Sequence, residues 1–102
     1  MPDFVFTYRT PVGFQPTPES GSAWRTWFDG IGGQLVELGK PVVERSSIGN
    51  VSPDATELGG YSIVRAEDLD AALALAKGCP LLDGDGAVEV GRLGDVPPPP
   101  DA

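Results

Sequence analysis

The sequence predicts an α+β sandwich: a four-stranded antiparallel sheet with two helices packed on one of its faces. Three observations carry that expectation. Phe4, Phe6 and Tyr8 alternate with Val5, Thr7 and Arg9, the period of a two-faced strand. Trp24, Trp27, Phe28, Ile31, Leu35 and Leu38 recur at helical spacing and form a single apolar stripe. Finally, Gly59–Arg65, Ala66–Lys77 and Ala87–Val90 read as strand, helix and strand, with Gly78-Cys79-Pro80 as the stop between the last two.

In chain order, residues 3–9 form the first strand. Thr10 to Pro18 is a loop punctuated by Pro11, Gly13, Pro16 and Pro18. Thr17 suits a helix N-cap and Pro18 the first helical position. The first helix is read as far as Leu38, weakened by Gly30, Gly32 and Gly33 and stopped by Gly39 before Lys40-Pro41. Residues 41–49, with Val42, Val43 and Ile48, are expected as the second strand, and Asn50–Leu58 as a polar loop. Residues 59–65 are the third strand. The second helix buries Leu69, Ala72, Leu73 and Ala76, with Glu67 and Asp68 at its positively polarised N-terminus. Residues 87–93 are the fourth strand. The order βαββαβ, with both helices seeking the same sheet face, is the ferredoxin-like arrangement.

Composition narrows the function. The 102 residues make one domain, and 15 acidic against 7 basic residues give a formal net charge of −8. That field repels phosphate backbones and anionic lipid, and the arginines are scattered along the sequence, so neither nucleic acid nor a membrane surface is an expected partner. No apolar run approaches a membrane span, and Met1-Pro2-Asp3-Phe4 has no signal-peptide character, which points to the cytoplasm. The lone cysteine, Cys79, agrees with a reducing compartment. Histidine is absent, which excludes Ser-His-Asp and Cys-His nucleophile systems and any His-rich metal site; no metal or other cofactor is expected. Asp83-Gly84-Asp85-Gly86 is no calcium loop, because Gly94 stands where a bidentate glutamate is required.

Helices on one side leave the other sheet face to account for. Thr7, Arg9 and Glu89 point there by alternation, and Glu44, Ser62 or Arg65 are further candidates. A face of such mixed polarity is resolved most simply by pairing with a second copy, giving a dimeric α+β barrel with a cleft between helix and sheet edges.

The run Gly59-Gly60-Tyr61-Ser62-Ile63, Leu69-Asp70-Ala71-Ala72, Cys79-Pro80 and Val88-Glu89-Val90 closely resembles the YCII-related, or DGPF-domain, family. The first half is similar in its Trp- and Phe-bearing helix followed by Leu38-Gly39-Lys40-Pro41-Val42. The resemblance implies a dimeric, ferredoxin-like α+β barrel over residues 1–93, while the four consecutive prolines Pro97–Pro100 make 94–102 an expected disordered Pro-rich tail. The resemblance also implies an acid–base pair of His and Asp, which this chain cannot supply. It has no His, Cys79 stands where the Asp before the Pro belongs, and the Asp-Gly-Pro-Phe string is replaced by Ser52–Leu58. The fold transfers; the activity does not.

The candidate site residues carry two readings each. Trp24 and Trp27 pack a small core in the simplest reading, or wall a ligand cleft. Cys79 is a small apolar residue at a helix stop, where the helix dipole disfavours a thiolate. Arg9, Glu44, Tyr61, Arg65 and Glu89 form cross-strand ion pairs, or line a polar pocket. In the second reading Arg9 anchors an anion, Tyr61 donates a hydrogen bond, and Glu44 or Glu89 is the base. The expected function is a homodimer that binds a small organic molecule in a helix–sheet cleft. The rivals are a small isomerase or lyase acting on a cyclic or hydroxylated carbonyl compound, and a structural or regulatory dimerisation module.

Overall fold

The structure, a computed structural model, describes residues 1–51 and 55–97. The strands and helices run β1 (Asp3–Pro11), α1 (Pro18–Ile31), β2 (Leu35–Glu37), β3 (Thr56–Arg65), α2 (Leu69–Ala76) and β4 (Ala87–Arg92), with 3₁₀ turns at Gly32–Gln34 and Pro80–Asp83. The sheet is antiparallel in the order β2-β3-β1-β4, and both helices lie on one face. This is the ferredoxin-like arrangement. Ser52–Asp54 of the expected polar loop and Pro98–Ala102 of the expected tail lie outside the described residues.

β1 is central because its alternation is the most complete. Phe4 and Phe6 are fully buried and Tyr8 nearly so, while Val5, Thr7 and Arg9 face the other way. Burying each phenyl ring contributes roughly 2–3 kcal/mol. Val64, Ile31, Ala66, Ala72, Ala76, Cys79 and Leu81 complete the core, with Val88 and Val90 packed against it. Small alanines on α2 let that helix lie close to β1 and β4, while the bulk comes from α1 through Trp24, Trp27 and Phe28. Ser62 belongs to this helix-facing side, fully buried opposite Phe6, and not to the open face expected for it from the sequence.

α1 begins as its sequence predicts. Thr17 accepts a hydrogen bond from the Ser20 amide, and the Ser20 hydroxyl accepts one from the Thr17 amide. Its end differs. The helix stops at Ile31, because Gly32 takes φ 61° and its amide bonds back to the Phe28 carbonyl. Leu35 and Leu38 continue the helical spacing on paper, but Leu35 sits in β2 and Leu38 beyond it. The second strand is therefore Leu35–Glu37, paired with Ile63 and Val64, and not residues 41–49. The latter stretch makes only an isolated bridge, Pro41 to Gly60. Pro41 has no amide to extend the ladder, and Val43 and Ile48 are 88% and 97% exposed.

Two glycines have a demonstrable task. Gly39 holds φ +76°, and a Cβ there would lie 1.7 Å from the Tyr61 carbonyl oxygen. Only glycine lets the chain leaving β2 press against β3 at this point. Gly59 is the extra residue of a β-bulge, since Tyr8 pairs with Gly60 and Arg9 with Leu58. A Cβ on Gly59 would fall 2.5 Å from the Thr10 methyl.

Gly39→Ala is accordingly expected to lower unfolding stability by about 2–4 kcal/mol in urea titration. Gly13→Ala, at φ +81° but with open space around it, is expected to cost no more than about 1–2 kcal/mol. Equal losses at the two positions would show that the contact with Tyr61 carries no weight.

Candidate functional site

The segment that Gly39 pins against β3 forms one wall of a cleft; α1 forms the other. The cavity between them has a volume of about 1110 Å³. Its floor is the bulged stretch of β1 and β3, with Tyr8, Thr10, Gly59 and Gly60. α1 contributes Trp24, Arg25, Phe28 and Asp29, the loop before it contributes Phe14, and Leu38–Val43 and Arg45 close the far side. Bulges recur where a strand must turn its edge toward a site, and this one does so.

The far wall is latched by Arg45. Its guanidinium donates to the Leu58 carbonyl at 2.8 Å, to the Val42 carbonyl at 2.7 Å and to the Glu57 carboxylate at 2.6 Å. One side chain thus ties residues 42–45 to β3, and the Val42 amide adds a bond to the Gly59 carbonyl. The Arg45–Glu57 pair is about a third exposed on the arginine side, so its worth lies in placing the loop more than in net stability.

A chain of hydroxyls lies beneath the cleft. Tyr8 Oη donates to Ser62 Oγ at 2.7 Å, and Ser62 Oγ donates to the Leu38 carbonyl at 2.6 Å. The carbonyl end sets the direction. A carbonyl only accepts, so the serine proton goes to Leu38 and the proton between the two hydroxyls comes from tyrosine. Burial pushes the Tyr8 phenol well above its ordinary range, against a smaller opposing effect of the Ser62 hydrogen bond. Tyr8 therefore stays protonated at any physiological pH and is unsuited to act as a base.

The aromatic residues divide into two roles. Trp24 meets Tyr8 edge to face at 4.7 Å between centroids and lies 5.6 Å from Phe28. Trp24, Tyr8 and Phe28 all border the cleft. Trp27 stacks on Phe6 at 6.1 Å, and its indole donates to the Leu75 carbonyl at 3.0 Å, tying α1 to the end of α2. It lies behind Trp24 and outside the cleft lining. Gly78 accommodates it, because a Cβ there would be 2.9 Å from its ring.

The structure separates the remaining candidates. Tyr61 borders the cleft, but its register opposite Thr7, itself opposite Glu89, sets these side chains on the open face of the sheet. Arg9 donates to Thr56 through its carbonyl and hydroxyl oxygens, away from the cleft. Glu44 is exposed on the loop after Pro41, and Arg65 pairs with Asp3 at 3.0 Å. Arg9, Glu44, Tyr61 and Glu89 therefore do not converge on one pocket. Among the described residues no group of three or more metal-ligating side chains converges either, and no helix is long and apolar enough to cross a membrane.

Cys79 is 2% exposed, at the turn into Pro80. Burial pushes its thiol up to about 11, partly offset by a backbone hydrogen bond from Leu81, with Asp83 adding to the rise. The thiol is thus the inert kind. Tyr8 and Ser62, which belong to the site, do not stand out in the sequence. The available signal was a hydroxyl-bearing residue on each of two strands whose neighbours on that face are apolar.

The architecture is that of a ferredoxin-like α+β domain, and comparison with known proteins adds one relative in shape. The chain is similar to 5-chloro-2-hydroxyhydroquinone dehydrochlorinase (TftG) from Burkholderia phenoliruptrix AC1100, solved in complex with 2,5-dihydroxybenzoquinone. The TM-score is 0.56 at 15% identity, over 89% of this chain and 93% of that one. At that identity the likeness concerns the fold. No protein-family model and no curated protein sequence matches the chain.

The buried polar groups can be tested one at a time. Ser62→Ala strips Tyr8 of its acceptor and Leu38 of its donor, and should cost about 1–3 kcal/mol in chemical denaturation. A change within error would mean that water replaces the hydroxyl. For Cys79, the folded value is raised above the unfolded one. Its contribution is therefore fully present below about pH 9 and is lost as pH rises to about 11. Native protein should resist iodoacetamide at pH 7.5, and Cys79→Ala should flatten the fall in stability across that alkaline window. Rapid stoichiometric labelling at pH 7.5 would contradict the buried placement.

Proposed function

We propose that this chain is a cytosolic, YCII-like protein that binds a small organic molecule in the cleft between α1 and the Leu38–Arg45 segment, and that it works as a homodimer. The observation that carries the reading is the cleft itself. It is concave, it has the size of a small-molecule site, and its lining is mostly apolar with a few polar groups at fixed positions. Trp24, Phe28 and Phe14 offer ring faces, and an apolar floor that ends in a hydroxyl favours a flat molecule with polar edges. A protein of similar shape was solved with a quinone bound. That supports the class of ligand without assigning the reaction.

Binding has more support than acid–base catalysis by an isomerase or lyase. There is no histidine, and Asp29 is the one carboxylate among the described lining residues. Glu44 and Glu89 stand outside the lining, and Tyr8 holds its proton too tightly to abstract another. The dimer is supported by surface that a single chain leaves uncovered. Val5 and Ile63 lie side by side on the open sheet face, and Val43 and Ile48 project from the loop beyond Pro41.

Native mass spectrometry of gently purified protein at neutral pH is expected to show twice the chain mass, with a reproducible adduct of small organic mass. Phe14 is 39% exposed at the mouth of the cleft. Phe14→Ala should reduce the adduct severalfold with little change in Tm. A monomer would remove the dimer. A dimer with no adduct, and no ring compound able to quench its tryptophan fluorescence, would remove the cleft reading.

A further inference from the structure

The charge of the chain is distributed against the grain in this cleft. The whole protein carries 7 basic and 15 acidic residues. Three of the basic ones, Arg25, Lys40 and Arg45, border the cleft, against a single carboxylate, Asp29, among the described lining residues. Arg45 is committed to Glu57 and two carbonyls. Arg25 and Lys40 make no ion pair among the described residues, not even Arg25 with Asp29 one turn along α1. They rise from opposite walls, one on α1 and one on the segment pinned by Gly39. A cleft with low-dielectric aromatic walls and cations at both lips focuses its field on an anion, in a molecule that otherwise repels anions.

The floor imposes a second requirement. Because Tyr8 gives its proton to Ser62, and Ser62 gives its own to Leu38, the Tyr8 oxygen has only lone pairs left to offer. A ligand group that meets it must donate. We infer that the cleft selects a flat ring compound with an ionised acidic group held between Arg25 and Lys40 and a hydroxyl directed at Tyr8, a hydroxylated aromatic carboxylate being the simplest such molecule. This rests on the proposed cleft-binding function and adds the polarity and orientation of its ligand. Trp24 and Phe28 supply the ring contact between the two ends, and Lys40 and Arg25 are exposed enough to close on the carboxylate from either side.

The test uses three probes of one shape with the full chain: 6-hydroxy-2-naphthoate, its methyl ester and 2-naphthoate, titrated at pH 7.5 and low salt and followed by calorimetry. The hydroxy acid should bind roughly tenfold or more tightly than either the ester, which lacks the charge, or 2-naphthoate, which lacks the hydroxyl. Removing both cations in Arg25→Ala/Lys40→Ala should bring acid and ester to within about twofold of one another. Lys77→Ala makes the same kind of charge change outside this cleft and should leave the preference intact. Tyr8→Phe keeps the ring and leaves Ser62 bonded to Leu38. It should abolish the preference for the hydroxyl while preserving that for the charge, a split that a merely destabilised protein would not produce. Equal binding of the three probes overturns the inference and leaves the cleft reading standing. No binding of any probe at millimolar concentration overturns both.

Discussion

The hydroxyl chain from Tyr8 through Ser62 to the Leu38 carbonyl is the constraint on which the rest depends. It connects three elements that sequence places far apart: the central strand, its neighbour β3 and the segment leaving β2. Ser62 is fully buried and Tyr8 nearly so, and in such surroundings an unmade hydrogen bond costs more than a made one contributes. The main-chain oxygen of Leu38 must therefore come to Ser62. Once it does, the next residue has to pass against the Tyr61 carbonyl, which only glycine permits. Arg45 then fastens residues 42–45 to the same strand. The far wall of the cleft is the outcome of these three contacts in succession.

The opposite wall is built by different means. α1 is held by packing, with Trp27 locked behind it between Phe6 and the end of α2, and Trp24 left to face outward over Tyr8. Two indoles three residues apart thus have opposite duties. One is a structural bolt whose N–H is satisfied, and the other is an open ring face on the wall of a cavity. The cleft persists because neither wall can collapse onto the other. One wall is set by hydrogen bonds to the sheet, the other by a rigid aromatic stack.

Much of this is legible from residues alone, and the exceptions have physical causes. β1 shows itself by strict alternation, α2 by small apolar residues at helical spacing between acidic and glycine ends, and the start of α1 by Thr17 and Pro18. The end of α1 is hidden because Leu35 and Leu38 keep the helical period of Trp24 to Ile31. Spacing cannot report that Gly32 adopts a positive φ, after which a 3₁₀ turn and a strand carry the same residues. The β-rich look of Val42, Val43 and Ile48 then draws the second strand too late. For the site, Trp24 is visible as a bulky aromatic but indistinguishable from Trp27, since only the fold decides which indole meets α2. Tyr8 is hidden in plain alternation as a core residue. That Arg25 and Lys40 border one cleft is likewise invisible in the sequence, because it depends on where the chain goes after α1 ends at Gly32.

Trp24, and not Trp27, faces the cleft. The most direct measurement is the ¹H–¹⁵N spectrum of the two indole N–H groups, assigned with Trp24→Phe and followed as 6-hydroxy-2-naphthoate is added. Two peaks are expected. That of Trp27, bonded to Leu75, exchanges slowly with D₂O and scarcely moves, while that of Trp24 exchanges fast and shifts saturably. Two stationary peaks, or a saturable shift confined to Trp27, would contradict it.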